Sequence, residues 1–297
     1  MKTAYKIVSE NNFRTLTLMS LFLSLVFGLG YIFSYLVKND SVFIGFVIFG
    51  VLFNLLALFW GDKTILFLTG AKEIEKKDYP EIYRLVENLA ITAGLPATPK
   101  VYLINSQALN AFATGRSPKN SYIALTKGII GQLNEEELKG VIAHEISHIK
   151  NNDIKVMMLA TILGGVVAIM ADIFLRMSLF GGRDRERNNG LLVFIGFLLA
   201  LLAPIFAQLI QLAISRKREF MADASGALLT RNPEGLASAL EKISASTSPL
   251  SVSPATAGLF IINPFKKGRG FINWVGNLFS THPPVEERIK ILRSMII

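Results

Sequence analysis

The chain has 297 residues, 51% of them hydrophobic and only 18% charged, with a mean hydropathy of +0.44. Soluble domains carry about a quarter charged residues, so composition excludes a wholly soluble chain. The formal net charge of +9 comes without zinc-finger spacing or an RNA-binding signature, which argues against a nucleic-acid partner and for an anionic lipid bilayer.

Residues 15–37 are 23 positions without a formal charge, and 42–60 are another 19. About 20 apolar residues span a bilayer. Only Lys38-Asn39-Asp40-Ser41 separates the two runs, so residues 1–70 are expected to form a transmembrane helical hairpin. The first run is too long for a signal-peptide core and lacks a small-residue cleavage site, so it is expected to be retained. Lys2, Lys6 and Arg14 precede the first run, and Lys63, Lys72, Lys76 and Lys77 follow the second. The positive-inside rule then places both flanks in the cytoplasm.

From Lys72 the composition becomes that of a soluble domain. Asp78 before Pro80 and Glu81 marks a helix start with Asp78 as N-cap, and Gly94 with Pro96 marks its end. Residues 101–104 and 122–125 have the pattern of short strands, with 110–115 on a loop or strand edge between them. Asn134 followed by Glu137 forms a capping box, and Leu138, Val141, Ile142 and Ile149 continue at helical spacing to about Lys150. This first globular part covers 71–155. A second apolar pair follows within 156–214. Residues 156–171 and 191–207 are uncharged, Asp172 falls near the outer end of the first run, and the linker between them carries four arginines. By length the pair either crosses the bilayer or is buried as a helical pair, and crossing is favoured. Residues 215–297 form the last part, where Arg216-Lys217-Arg218 is placed to touch anionic lipid.

The chain has no cysteine and three histidines, His144, His148 and His282. Two of them lie in His144-Glu145-Ile146-Ser147-His148, on the helix that starts after Asn134. Residues four apart share a helix face, so two imidazoles can hold one metal ion. Glu145 points to the neighbouring edge, where it can act on metal-bound water. A catalytic zinc site has a third protein ligand and an open position. Spacing leaves two candidates for that ligand, His282 and Glu219, the latter on a helix that also presents Asp223 one turn later.

H-E-I-S-H, followed by R-E-F-M-A-D at 218–223 and T-H-P-P-V-E-E-R-I at 281–289, resembles the HtpX-like membrane metalloproteases, bacterial relatives of the CAAX prenyl endopeptidases. The resemblance covers nearly the whole chain. It implies a mainly α membrane protein: transmembrane helices plus an α+β zincin-type catalytic domain with a small sheet. It also implies one Zn2+ held by His144, His148 and Glu219, with Glu145 as general base. Asp223 then orients a ligand histidine, Arg288 pairs with Asp223, and His282 stabilises the oxyanion. Asn110 lines the substrate groove, and the strand bearing Tyr122, Ile123 and Ala124 is the edge on which an extended peptide docks. The implied activity is zinc-dependent endoproteolysis of damaged or misfolded membrane proteins, in a bacterial plasma membrane with the active site facing the cytoplasm. A zinc-binding membrane scaffold or chaperone without turnover is the alternative, and an intact Glu145 argues against it.

Overall fold

The structure, a computed structural model, describes residues 4–180, 216–246, 261 and 283–296. The two uncharged runs lie within two long helices, α1 (Ala4–Val37) and α2 (Asp40–Leu68). The chain reverses over two residues. Lys38 takes φ 54°, and Asn39 caps α2 by accepting from Ser41 N. Stretches Asn11–Ile32 and Asp40–Leu68 are long and apolar enough to cross a bilayer. Ile44, Ile48, Leu52, Leu55, Phe59 and Trp60 of α2 face outward. An exposed apolar face of that extent marks an interaction with lipid or protein, and beside two spanning stretches lipid is the solvent that suits it.

Four strands form one sheet: β1 (Lys72–Glu73), β2 (Lys100–Ile104), β3 (Ala111–Ser117) and β4 (Asn120–Thr126), in the order β1-β2-β4-β3. β2 runs parallel to β4 with Val101 beside Ile123, and β3 runs antiparallel to β4 with Ala113 opposite Ile123. This corrects one expectation. The strand carrying Tyr122, Ile123 and Ala124 is interior, paired on both sides, so it offers no free edge to a peptide. Among the described residues the edge strands are β1 and β3. Nothing in 111–117 beyond Phe112 and Thr114 has strong strand character, which is why the sequence left this stretch between loop and strand edge.

Side chains alternate across a strand, and β4 uses both faces. Ile123 and Leu125 join the core of the globular lobe. Ala124, with Tyr122 packed at its margin, joins a second core built from the membrane hairpin, including Phe22, Val26 and Ile65. The sheet therefore lies between the hairpin and the helix that carries His144 and His148, and it fixes one to the other.

Helix α3 (Pro80–Ala93) starts one residue later than the sequence suggested. Its N-cap is Tyr79, with Pro80 at the first turn, and Asp78 lies outside it. Gly94 ends it at φ 71°, a left-handed position suited to glycine. After the short α4 (Lys127–Gln132), helix α5 (Glu135–Lys150) opens with the expected capping box between Asn134 and Glu137. Helix α6 (Asp153–Phe180) then packs Met158, Leu159 and Leu163 against the hairpin. Its expected partner within 191–214 lies outside the described residues. Helices α7 (Arg216–Thr230), α8 (Pro233–Ala245) and α9 (Val285–Arg293) complete the lobe. A Cβ at Gly140 would stand 2.7 Å from Leu236 N, so only glycine lets α8 lie this close to α5.

Candidate metal centre

Helix α5 buries polar groups that a core helix ordinarily excludes. His144, Glu145, Ser147 and His148 are all buried among Val141, Ile142, Ile146 and Ile149. Burying such groups is costly unless each finds a partner, and their partners define the site. Nε2 of His144 and Nε2 of His148 face each other at 3.2 Å. Helix α7 brings Glu219 to the same point, with Oε2 3.8 Å from His144 Nε2 and Oε1 3.4 Å from His148 Nε2. The three ligand atoms lie within 4.8 Å of one another. Ligand atoms of a tetrahedral zinc ion, about 2.0–2.1 Å from the metal, stand roughly 3.3 Å apart.

Each imidazole has a carboxylate behind it. Nδ1 of His144 lies 2.9 Å from Asp223 Oδ1, and Nδ1 of His148 lies 3.2 Å from Asp153 Oδ2. A carboxylate there draws the ring N–H to Nδ1 and turns the Nε2 lone pair inward. With both rings neutral, two such lone pairs and a carboxylate converging in a buried space repel one another, and a cation between them, a proton on His148 or a metal ion, removes the repulsion. The donor set therefore fits a metal ion.

Asp223 is held in turn by a fully buried arginine. Arg288 Nε donates to Asp223 Oδ2 at 2.8 Å, Nη2 donates to Oδ1 at 2.7 Å, and Nη1 donates to Ile261 O at 3.1 Å. Burial pushes the Asp223 carboxyl up, and the Arg288 charge and hydrogen bonds outweigh it, bringing it down to about 2. At His148, burial favours the neutral ring, but the charge of Glu219 and the hydrogen bond and charge of Asp153 outweigh it, so the imidazole is raised to about 9.

Glu145 does not join the three converging groups. Its Oε2 accepts from Ala113 N at 2.8 Å, so it is anchored on the outer edge of β3. Asn110 is buried at the start of the same strand, and its Oδ1 accepts from Ala111 N at 2.8 Å and from Ile261 N at 3.4 Å. The structure thus brings together His144, Glu145, His148, Glu219, Asp223 and Arg288, with Asn110 immediately before β3. Tyr122 and Ala124 lie instead on the hairpin side of the sheet, and Ile123 is within the lobe's core. His282 lies outside the described residues. Asp153 was missed by the sequence reading, and its signal was available: an aspartate five residues after the second histidine, just past Asn151-Asn152.

The model of peptidase family M48 matches residues 76–296, which include every residue of this cluster. The chain belongs to peptidase family M48. Proteins similar to it include a protease HtpX homolog from Caldanaerobacter subterraneus subsp. tengcongensis, 43% identical over 304 residues and covering 100% of this chain and 99% of that protein. Another, from Dictyoglomus turgidum, is 42% identical over 297 residues, covering 99% of this chain and 95% of that protein. A third, from Thermococcus kodakarensis, is 43% identical over 285 residues with 95% of each covered. Among solved structures, a crystal structure of S. mikatae Ste24p matches 97% of this chain and 67% of that one at 20% identity, with a TM-score of 0.49. Membership in M48, with its HtpX relatives, indicates a membrane metallopeptidase, and two stretches of the chain are long and apolar enough to cross a bilayer.

A proton on His148, held by a site that raises it to about 9, competes with the metal below that pH. Metal affinity is expected to rise about tenfold per pH unit on approach to this value and to level off above it. Titration calorimetry near neutral pH, in buffers of different ionisation enthalpy, should show about one proton released per metal bound. No release would mean that His148 is already neutral.

Proposed function

We propose that this chain is a zinc-dependent membrane endopeptidase that hydrolyses exposed, extended segments of damaged or misfolded membrane proteins. The observation that carries the reading is the placement of Glu145. It sits one residue from a metal ligand, outside the ligand set, with one carboxylate oxygen anchored on the free edge of a sheet. Two imidazoles and a carboxylate are the donor set of catalytic zinc in several metallopeptidases. Zinc bound there supplies a Lewis acid that lowers the pKa of a water to about 7.

The remaining chemistry belongs to the chain. Glu145 takes a proton from the attacking water and passes it to the leaving amine. Its hydrogen bond from Ala113 fixes the carboxylate against the strand, leaving its second oxygen to handle the proton. An extended substrate adds to the outer edge of β3, not to β4. In an antiparallel ladder the N–H and C=O of one residue point the same way, so the Ala113 carbonyl faces that edge too and can accept from a substrate amide. Main-chain pairing of this kind reads backbone more than side chains, which suits unfolded segments of varied sequence. His282, on the family resemblance, donates to the carbonyl oxygen as charge develops on it. The basic flanks of the hairpin support a cytoplasmic active site, and a bacterial plasma membrane follows from the same resemblance.

Chelation and reconstitution test the reading. Detergent-purified protein stripped of metal is expected to lose cleavage of casein or of itself, and to regain it with about one equivalent of zinc per chain. Cleavage that persists in chelator would overturn the zinc mechanism. Tight zinc binding without any cleavage would favour a scaffold.

A further inference from the structure

The helix carrying both imidazoles ends abruptly. Asn151 caps α5, Asn152 turns with φ 61°, and α6 begins at Asp153. Asparagine tolerates this left-handed region better than most residues with a side chain. The reversal folds Asp153 back beneath His148, to the 3.2 Å contact with Nδ1. The other carboxylate oxygen, Oδ1, accepts from Asn11 Nδ2 at 3.2 Å and from Arg218 Nη1. Arg218 also donates from Nη2 to Asn11 Oδ1, and Asn11 Nδ2 donates to Asn151 O at 2.9 Å. Asn11 and Asp153 are 2% and 3% exposed, so these bonds are not solvated surface contacts. Arg218, assigned from sequence to anionic lipid, is spent within this cluster.

The arrangement repeats the one at His144. There an imidazole leans on Asp223, and Asp223 leans on Arg288. Here an imidazole leans on Asp153, and Asp153 leans on Arg218. Arg218 immediately precedes the third candidate ligand, Glu219, on α7. A polar cluster that served only to join two helices would direct Asp153 at the free amides opening α6. Its carboxylate instead meets side chains from α5, α1 and α7. The difference from the His144 side is Asn11. It belongs to α1 and opens the stretch Asn11–Ile32 that is long and apolar enough to cross a bilayer.

We propose that Asp153 is the positioning residue for His148, and that Asn11 makes the first membrane helix a working part of the metal centre. The inference rests on the metal-binding reading of His144, His148 and Glu219. Docking α1 against the lobe fixes Asp153, Asp153 fixes the His148 ring, and the ring aims Nε2 at the metal. The membrane anchor then holds the protease at its substrates and also completes the metal site.

The test uses the full chain in detergent and in lipid nanodiscs, with wild type, Asp153→Asn, Asn11→Ala and the double variant. Zinc affinity is measured by competition with a chromophoric chelator, and the visible absorption of the cobalt-substituted protein reports ligand geometry. Asp153→Asn is expected to weaken zinc by about 10–100-fold, as loss of an orienting carboxylate does. Asn11→Ala should weaken it less and in the same direction, with a shifted cobalt band, and Asn11→Gln should restore part of the loss. The double variant should bind like Asp153→Asn alone, because both act through one group. Phe13→Ala, at an exposed position on the same helix, should bind like wild type. Should Asp153→Asn fail to fold, the Asn11 variants carry the test alone. Wild-type affinity and an unshifted cobalt band in folded Asn11→Ala would overturn the proposal, as would additive losses in the double variant. A wild type that binds no zinc would instead overturn the metal reading on which the proposal stands.

Discussion

Replacing Glu145 by Gln is expected to lower kcat for peptide hydrolysis by about 10²–10⁴-fold, the range that positioned general bases supply, while metal content stays at the wild-type level. The substitution keeps the shape of the side chain and an oxygen that can accept from Ala113 N. What it removes is the ability to hold a proton between water and leaving amine. His144, His148 and Glu219 are untouched, so zinc affinity should not change, and a substrate docked along β3 should still bind. KM should therefore stay near the wild-type value while kcat falls. Metal analysis and steady-state kinetics on the same preparation decide the matter. Equal cleavage by both proteins would mean that the base is another group or that a contaminating protease is at work. Lost metal alongside lost activity would mean that Glu145 is a ligand, contrary to its place outside the converging triad.

Much of this site was legible in the sequence, for a definite physical reason. A helical period of 3.6 residues fixes the relation of His144, Glu145 and His148 once the helix is known, and the Asn134–Glu137 capping box sets where it starts. Glu219 and Asp223 stand four apart for the same reason. The third ligand stayed open between Glu219 and His282 on spacing alone, because the distance in sequence from His148 to Glu219 is 71 positions. Only tertiary packing of α7 on α5 brings Glu219 to the imidazoles.

Sheet order was not legible. Tyr122, Ile123 and Ala124 have the composition of a strand, but which strand lies at the edge depends on where β3 pairs. Here β3 joins β4 as a hairpin on the side away from β2, so the strand that looks stronger in sequence is interior and the weaker one meets Glu145. Asn11 illustrates a different limit. Its contact with Asp153 needs a left-handed turn at Asn152 and joins residues 142 positions apart. No local pattern connects an asparagine at the mouth of a membrane helix with the carboxylate behind His148. The Tyr79 cap shows a smaller slip of the same kind. Asp78 is a good N-cap residue, but Pro80 fits the first helical turn and sets the boundary one residue later.

Replacing Arg288 by Met is expected to destabilise the protein by about 3–5 kcal/mol, the cost of leaving one member of a buried ion pair uncompensated. Met is near Arg in length, so packing in the fully buried site is largely kept and the lost charge dominates. Asp223 then stands 1% exposed beside His144 without its bidentate partner. The pH dependence identifies the cause. In the wild type the Asp223 carboxyl is lowered from the usual 3.8 to about 2. The stabilisation from that shift is fully present above the unfolded-chain value and is lost as pH falls through the folded one. The deficit of Arg288→Met should therefore be largest near neutral pH and shrink as Asp223 is protonated in both proteins. Zinc affinity should also fall, by about 10–100-fold, because the carboxylate that orients His144 is no longer held. Adding Asp223→Asn to Arg288→Met should recover part of the lost stability, since of the two buried carboxylates beside Arg288 only Glu219, 3.9 Å from Nη1, then lacks its charge, but it should not recover zinc affinity. Thermal unfolding from about pH 2 to about pH 7, with zinc competition near neutral pH, separates the two effects. An Arg288→Met deficit that does not change with pH would mean that Arg288 acts by filling space, and that its pairing with Asp223 contributes little.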